Sequence, residues 1–160
     1  MAPRPRAGNL TTLLIDLDGA LGDTRPLWLD WLAESARLFD VETNVLPADR
    51  GAAAAALDAS GAGNWRTLLE RFAEDRAPVY LRPSAEASAA LRRLQAGGAR
   101  IGVFTDAPVE LARVALTQLG AARRIEAVEA GTGALERLRA SLGADALLIG
   151  TRDELTAAST

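Results

Sequence analysis

The stretch Leu10-Thr11-Thr12-Leu13-Leu14-Ile15-Asp16-Leu17-Asp18-Gly19 decides how this chain is organised. It begins with a short run of β-favouring residues and stops abruptly at two aspartates and a glycine. A short apolar run that ends at turn residues is typical of a buried strand followed by a tight turn. The sequence therefore predicts a first strand over residues 10–15, with Asp16 and Asp18 at its carboxyl end.

A helical pattern replaces the strand pattern directly after this turn. From Leu27 to Phe39 apolar residues recur every three or four positions, and Asn64 can cap a later helix. Residues 24–76 are therefore expected to be helical, and we call them the helical block. The block contains the three tryptophans of the chain, Trp28, Trp31 and Trp65, which we expect to be packing anchors.

Strands and helices alternate over the second half of the chain. After an extended segment between Pro78 and Pro83, the expected elements are a helix from Ser84, a strand over 100–104, a helix over 109–119, a strand over 125–128, a helix over 134–142 and a strand over 145–149. Such alternation indicates right-handed βαβ units and a parallel sheet. The predicted fold class is α/β, with a three-layer Rossmann-like parallel sheet.

The composition excludes several kinds of chemistry. The chain has 160 residues, enough for one domain, and it has no His and no Cys, which excludes imidazole bases and thiol chemistry. All 18 basic residues are Arg, and none is Lys. The net charge of -3 provides no basic field for nucleic acid, and no apolar run approaches the roughly 20 residues of a membrane span.

The first nine residues are rich in Pro and Arg and lack the apolar stretch of a secretory signal. We expect them to form a flexible tail. We also expect a cytoplasmic protein with neither nucleic acid nor a membrane as a partner. The sequence leaves the oligomeric state and the identity of any substrate open.

Polar residues follow the predicted strands. In an open parallel sheet the loops after the strands meet at the carboxyl edge. Asp16 and Asp18 follow the first strand, Thr105 and Asp106 follow the second, and we expect Asp16 and Thr105 to lie side by side. The last strand leads into Thr151-Arg152-Asp153-Glu154. Carboxylates at one edge repel each other unless a cation joins them, and oxygen ligands without His or Cys indicate Mg²⁺.

Two of these motifs carry a family resemblance. Asp16-Leu17-Asp18-Gly19 resembles the first motif of the haloacid dehalogenase (HAD) superfamily, and Val103-Phe104-Thr105-Asp106 is similar to its second. The helical block lies where that family has a small helical cap. The resemblance implies a core domain over 10–23 and 77–160, with a cap over 24–76 inserted after the first strand.

The resemblance also implies a function, that of a phosphatase acting on a small phosphorylated metabolite with Mg²⁺. Asp16 would be the nucleophile that forms an aspartyl-phosphate, and Asp18 would be the general acid and base. Thr105, Asp106 and Arg152 would bind the substrate. Asp16, Asp18 and Asp153 would hold the metal, with Asp18 contributing its carbonyl. Aspartate at position 18 favours a phosphatase over a dehalogenase, because the dehalogenases of this superfamily lack that acid.

The chain departs from the family pattern at two places. The third motif has a lysine where this chain has Glu129 or Ala130. Arg152, or Arg123 and Arg124, could replace that cation. The fourth motif begins with an acid where this chain has Thr151, although Asp153 and Glu154 are close in sequence. Each lost electrostatic partner typically costs about 10²- to 10³-fold in rate, so attenuated activity is expected.

Other interpretations of the same residues stay open. Asp18-Gly19 can be a simple turn, Thr105-Asp106 can be a helix N-cap, and residues 152–154 can be a solvated loop. The chain can then be a non-catalytic relative that keeps the fold and serves as a ligand- or partner-binding module. A receiver-like phosphoacceptor is a third possibility, but the absence of Lys and the helical block after the first strand count against it.

Overall fold

The computed structural model describes residues 11–35, 38 and 42–160. The expected flexible tail over 1–9, Leu10 and Phe39 lie outside the described residues. Four strands form one parallel sheet in the order β3-β2-β1-β4. They are β1 (Thr12–Asp16), β2 (Arg100–Thr105), β3 (Ala127–Ala130) and β4 (Leu147–Ile149).

Helices cover both faces of the sheet. They are α1 (Arg25–Ser35), α2 (Arg50–Ala59), α3 (Trp65–Tyr80), α4 (Ala85–Ala96), α5 (Val109–Gln118), α6 (Ala134–Leu142) and α7 (Arg152–Ala158), with short 3₁₀ turns over Thr43–Val45 and Ala122–Arg124. Leu13 and Ile15 of β1 share a core with α4, α5 and α7, whereas Leu14 packs against α6. The sheet is a middle layer between helices, which confirms the predicted three-layer α/β fold. Within the described residues, no helix is long and apolar enough to cross a membrane.

The central strand β1 fixes the position of the first motif. Leu13, Leu14 and Ile15 are fully buried, because the strand is covered on both faces and paired on both sides. A strand in this position is a continuous apolar run rather than an alternating one. β1 pairs with β2 in a register that puts Asp16 opposite Phe104. Thr105 therefore lies one residue beyond the partner of Asp16, at the same edge of the sheet.

The helical block, observed as α1, α2 and α3, packs around a second hydrophobic core, separate from that of the sheet. The ring centroid of Trp31 lies 5.3 Å from that of Trp28 and 5.8 Å from that of Trp65. Ala107 and Leu111, which come after β2, belong to the same core. The three tryptophans are packing anchors, as predicted, and they fix the block against the segment that follows the second motif.

The segment predicted to be extended from Pro78 is instead helical as far as Tyr80. Pro78 lies in the last turn of α3, where it removes one N–H from the helix. Ala77 and Leu81 are buried, and the Leu81 N–H still donates to the Ala77 carbonyl at 2.8 Å. Burial of this face outweighs the lost hydrogen bond, so the helix continues past residue 76.

Other boundaries also differ from the prediction. α1 ends at Ser35, and Leu38 is 72% exposed although its spacing predicted a buried position. β3 begins only at residue 127, because a 3₁₀ turn precedes it. Residues 152–154 form the first turn of α7 rather than a loop, since the Thr151 Oγ1 accepts a hydrogen bond from the Glu154 N–H at 3.2 Å and caps the helix.

Gly19 lies against the loop after β4 at very close range. A Cβ at this position would lie 2.0 Å from the Gly150 carbonyl oxygen, so Gly19→Ala must push the two loops apart. Overpacking of this kind costs about 1–3 kcal/mol. We predict a loss of that size in the free energy of unfolding, measured by urea denaturation. Gly97→Ala is the matched control, because its Cβ would meet nothing closer than 3.4 Å. Equal losses in the two variants would contradict the prediction.

Candidate active site

The carboxyl ends of β1 and β2 open into a cavity of about 360 Å³. The side chains that line it include those of both motifs together with two arginines from the helical block: Asp16, Asp18, Thr105, Asp106, Arg25 and Arg50. The loop before α6 closes another wall with Gly131 and Gly133. The structure thus brings together the four residues that the sequence predicted at this edge.

Asp16 is the last residue of β1 and is about half-buried in the cavity wall. Its Oδ1 accepts a hydrogen bond from the Asp18 N–H at 3.1 Å. Burial raises the pKa of Asp16, and the negative charge of Asp18 raises it further. The Asp16 carboxylate is therefore held in a place where its negative charge is unfavourable.

Asp18 accepts four hydrogen bonds. A single π-helical turn over Leu17–Leu21 follows β1 and places Asp18 beside β2. The Asp18 Oδ1 accepts from the Thr24 N–H at 2.9 Å and from the Thr24 hydroxyl at 2.5 Å. The Asp18 Oδ2 accepts from the Thr105 hydroxyl at 2.8 Å and from the Arg50 Nη2 at 2.7 Å. The Asp18 side chain therefore makes contacts well beyond its own turn, with Thr24, Thr105 and Arg50.

Thr105 connects the two motifs. Its hydroxyl donates to Asp18, and it accepts from the Ala107 N–H at 3.2 Å and from the Arg50 Nη2 at 3.3 Å. The N-cap of α5 is Pro108, so Thr105 and Asp106 do not cap that helix. The alternative interpretation of this dipeptide as a helix cap is therefore wrong.

Arg50 is the buried cation of the site, and it was not among the residues predicted from the sequence. The residue opens α2 and is only 2% exposed. Its Nε and Nη2 donate to the Asp106 Oδ1 at 3.0 and 2.7 Å, its backbone N–H donates to the Asp106 Oδ2 at 3.0 Å, and its Nη1 donates to the Thr24 hydroxyl at 2.6 Å. Burial tends to raise the pKa of Asp106, but these hydrogen bonds from Arg50 outweigh it, so the pKa is lowered.

Solved structures share this architecture. CbbY from Rhodobacter sphaeroides, in complex with phosphate, superposes with a TM-score of 0.55 at 16% identity, over 76% of this chain and 64% of CbbY. A protein described as a β-phosphoglucomutase from Thermotoga maritima superposes with a TM-score of 0.52 at 15% identity, over 94% of this chain and 82% of that protein. The chain has a HAD-like fold. No protein-family model and no curated protein matches the sequence.

This chain matches only part of the length of CbbY. The matched part spans 64% of CbbY, which is slightly less than two-thirds of that chain. At 15 to 16% identity the likeness extends to the fold alone. What the site does has to be argued from its own residues.

The other arginines that the sequence suggested do not reach the cavity of the HAD-like fold. Arg152 donates from Nε and Nη2 to the carbonyls of Ala20 and Leu21, at 3.0 and 2.8 Å, and so supports the turn after β1. Arg124 donates to the Gln95 side chain at 2.8 Å, and Arg123 lies with it in a 3₁₀ turn. None of these three lines the cavity. Arg152 is therefore not placed where it could bind a substrate there.

The carboxylates do not form a preformed metal site. Asp153 is exposed in the first turn of α7, and the Glu154 carboxylate accepts from the Gly150 N–H at 3.2 Å. Glu129, at the place of the family lysine, pairs with Arg137 at 3.0 Å. Over residues 11–35, 38 and 42–160, no group of three acidic side chains is arranged to hold an ion. The predicted set of Mg²⁺ ligands, Asp16, Asp18 and Asp153, is therefore incomplete. The Asp16 carboxylate and the Asp18 carbonyl that remain are too few ligands for the ion.

Asp16 and Asp106 should respond to pH in opposite directions. A carboxylate with a raised pKa favours folding in its protonated form, so its contribution to stability is present at acid pH and is lost as the pH rises through the folded pKa. A carboxylate with a lowered pKa contributes stability above its unfolded pKa and loses it as the pH falls through the folded pKa.

We therefore predict that Asp16→Asn increases the free energy of unfolding near pH 7. Asp106→Asn, which removes charge-assisted hydrogen bonds from Arg50, should decrease it by about 1–3 kcal/mol. Both differences from the wild type should narrow as the pH is lowered to about 3, measured by urea denaturation without divalent cations. A destabilised Asp16→Asn at pH 7 would contradict the assignment of Asp16 as an unfavourably buried charge.

Proposed function

We propose that the chain is a phosphatase-type hydrolase that cleaves small phosphomonoesters through an aspartyl-phosphate. The observation that carries the proposal is the cavity at the carboxyl ends of β1 and β2, where Asp16, Asp18, Thr105 and Arg50 converge. A nucleophile, an acid–base group, a hydroxyl donor and a cation are the parts that phosphoryl transfer requires. The HAD-like fold supports this assignment.

In the first step an Asp16 carboxylate oxygen attacks the phosphorus in line with the ester oxygen. A bond forms between Asp16 and phosphorus while the bond to the leaving oxygen breaks. Asp18 gives its proton to that leaving oxygen. In the second step a water attacks the phosphorus, Asp18 takes the proton of the water, and the Asp16–phosphorus bond breaks to release inorganic phosphate and restore both side chains.

The contacts of Asp18 support a different part for each of its two oxygens in this proposal. The Asp18 Oδ1 is held by two hydrogen bonds from Thr24. The Asp18 Oδ2 is held by Thr105 and Arg50, two groups that also border the cavity and can turn to a phosphate. We therefore propose that Oδ2 delivers the proton and that Thr24 fixes the carboxylate while it does so.

The proposal includes the helical block as a cap over the site, since Arg25 and Arg50 of the block line the cavity. The predicted cap over 24–76 would then extend to the end of α3 at Tyr80. We further propose that the substrate is a small phosphorylated metabolite and that the protein is cytoplasmic. Mg²⁺ would be held weakly at best.

A second candidate function is a non-catalytic, ligand-binding relative. The observation that favours it is that the acids expected around a metal are missing from the site. Thr151 stands where the family has an acid and caps α7, and Asp153 stays outside the site. Binding of an anion by Arg50 and Thr105 needs neither the family lysine nor the acid of the fourth motif. The two candidates differ in turnover rather than in fold.

Hydrolysis of p-nitrophenyl phosphate distinguishes the two candidates. We predict turnover by the wild type and a loss of about 10³-fold or more in Asp16→Asn and in Asp18→Asn, because each variant removes a group that acts in both steps. Acid-quenched protein should carry phosphate on the peptide that contains Asp16, detected by mass spectrometry. Asp75→Asn is the control, because Asp75 is an acid that pairs with Arg76 on the surface and does not line the cavity.

The control should retain turnover within about threefold of the wild type, since its ion pair is exposed and contributes little. If no turnover is found with or without Mg²⁺, and calorimetry finds only phosphate binding, the non-catalytic relative replaces the phosphatase.

The same assay tests the metal. With one carboxylate and one carbonyl available, activity should keep rising with Mg²⁺ into the millimolar range, since Mg²⁺ sheds its water reluctantly and needs more oxygen ligands than these. Asp153→Ala should leave the titration unchanged, because Asp153 is exposed on α7. A shift of the Mg²⁺ titration in that variant would show that Asp153 turns inward.

A further inference from the structure

The charge balance of the cavity points to one residue. Five acidic residues line it, namely Asp16, Asp18, Asp49, Asp106 and Glu136, against two arginines, Arg25 and Arg50. Arg25 already has a partner outside the cavity, because it forms two hydrogen bonds with the Asp23 carboxylate on the surface. A phosphate dianion added to this site needs a cation, and the chain has no lysine to provide one.

Arg50 contacts the same two groups that a phosphoryl group would contact. Its Nη2 lies 2.7 Å from the Asp18 Oδ2 and 3.3 Å from the Thr105 Oγ1. A phosphate oxygen that accepts from the Thr105 hydroxyl is therefore within reach of the guanidinium. In the free protein, both Thr105 and Arg50 donate to Asp18 instead.

We propose that Arg50 is the phosphate-binding cation of this site and that Asp106 is its internal counter-ion, which the phosphoryl group of the substrate displaces. The inference rests on the proposed function for the identity of the anion. The Arg50 Nη2 and the Thr105 hydroxyl then donate to phosphate oxygens instead of to the Asp18 Oδ2, while the Arg50 side chain keeps its place. Binding of the substrate thereby frees the Asp18 carboxyl group from these hydrogen bonds, so that it can act as the acid that the reaction requires.

The hydrogen-bonding pattern between Arg50 and Asp106 is the one that this exchange requires. Nε and Nη2 both donate to the Asp106 carboxylate, and a guanidinium presents the same planar edge to a phosphate. The side chain of Asp106 is 39% exposed, whereas that of Arg50 is 3% exposed. Asp106 can therefore turn out to solvent, while Arg50 stays fixed by Thr24 and by the start of α2.

The position of Arg50 also depends on a close backbone contact. A Cβ on the next residue, Gly51, would lie 2.3 Å from both the backbone N and the Oγ1 of Thr132. Only glycine allows α2 to approach the loop before α6 this closely. Gly51→Ala should therefore move Arg50 away from the site while leaving every charge in the protein unchanged.

Calorimetric titration with inorganic phosphate, and separately with vanadate, tests the proposal on the full chain. Arg50→Gln should weaken binding by about 10- to 100-fold, the range for a lost charge-assisted hydrogen bond, and Arg50→Lys should fall between Arg50→Gln and the wild type. Gly51→Ala should weaken binding as well. Asp106→Asn should strengthen it several-fold, because the competing carboxylate is gone.

The increase in Asp106→Asn is the decisive result, since a merely structural ion pair would weaken binding when broken. Arg66→Gln is the matched control: Arg66 also bridges the helical block and the core, through Asp58 and Glu110, but does not line the cavity. It should bind phosphate like the wild type. Arg25→Gln tests the other arginine of the cavity and should have a smaller effect than Arg50→Gln.

Several outcomes would overturn the inference: no phosphate binding by the wild type, unchanged binding in Arg50→Gln, or weaker binding in Asp106→Asn. If Arg50→Gln fails to fold by near-ultraviolet circular dichroism, Arg50→Lys and Asp106→Asn still decide the matter. Turnover with Arg50-independent phosphate binding would overturn this inference and keep the proposed function. Arg50-dependent binding without turnover would keep the inference and reject the phosphatase.

Discussion

The buried guanidinium of Arg50 is the interaction on which the arrangement of this molecule depends. It lies between the helical block and the carboxyl edge of the sheet, and it contacts Asp18 after β1 and Asp106 after β2. An arginine buried without its carboxylates costs several kcal/mol, so the block, the first motif and the second motif have to meet at one point. The tryptophan core joins the block to Ala107 and Leu111 by apolar packing, and the ion pairs of Arg50 join it to the two motifs.

The framework of the fold could be predicted because its signals are local. The apolar run before Asp16 is a strand buried on both faces, and the alternation after Ser84 gives a parallel sheet. With β1 and β2 adjacent, the residues that follow them share an edge, although the Thr105 hydroxyl donates to Asp18, whereas the sequence predicted Asp16 as its neighbour. The predicted element boundaries are wrong where packing overrides the local preference of a residue. Pro78 favours an extended segment, but it stays helical because the face of α3 around it is buried.

The cation of the site could not be found in this way. Arg50 is one of 18 arginines, it lies far in sequence from both motifs, and the segment around it is alanine-rich. Its role arises from a tertiary contact with Asp106, 56 residues away. Arg152 was a reasonable expectation because it follows a strand, but its side chain donates to the carbonyls of Ala20 and Leu21 in the turn after the first motif. The absence of lysine indicated that an arginine must supply the positive charge of the site, but it did not indicate which arginine.

Three consecutive residues at the start of α2 perform three different tasks. Asp49 caps the helix by accepting from the Ala52 N–H at 2.8 Å, Arg50 supplies the charge, and Gly51 permits the close contact with Thr132. For protein engineering, this tripeptide is the smallest unit that can be exchanged. A different helical domain grafted onto this sheet would shield the cavity from solvent, but without the Asp49-Arg50-Gly51 segment it would leave the acidic edge of the sheet without its cation.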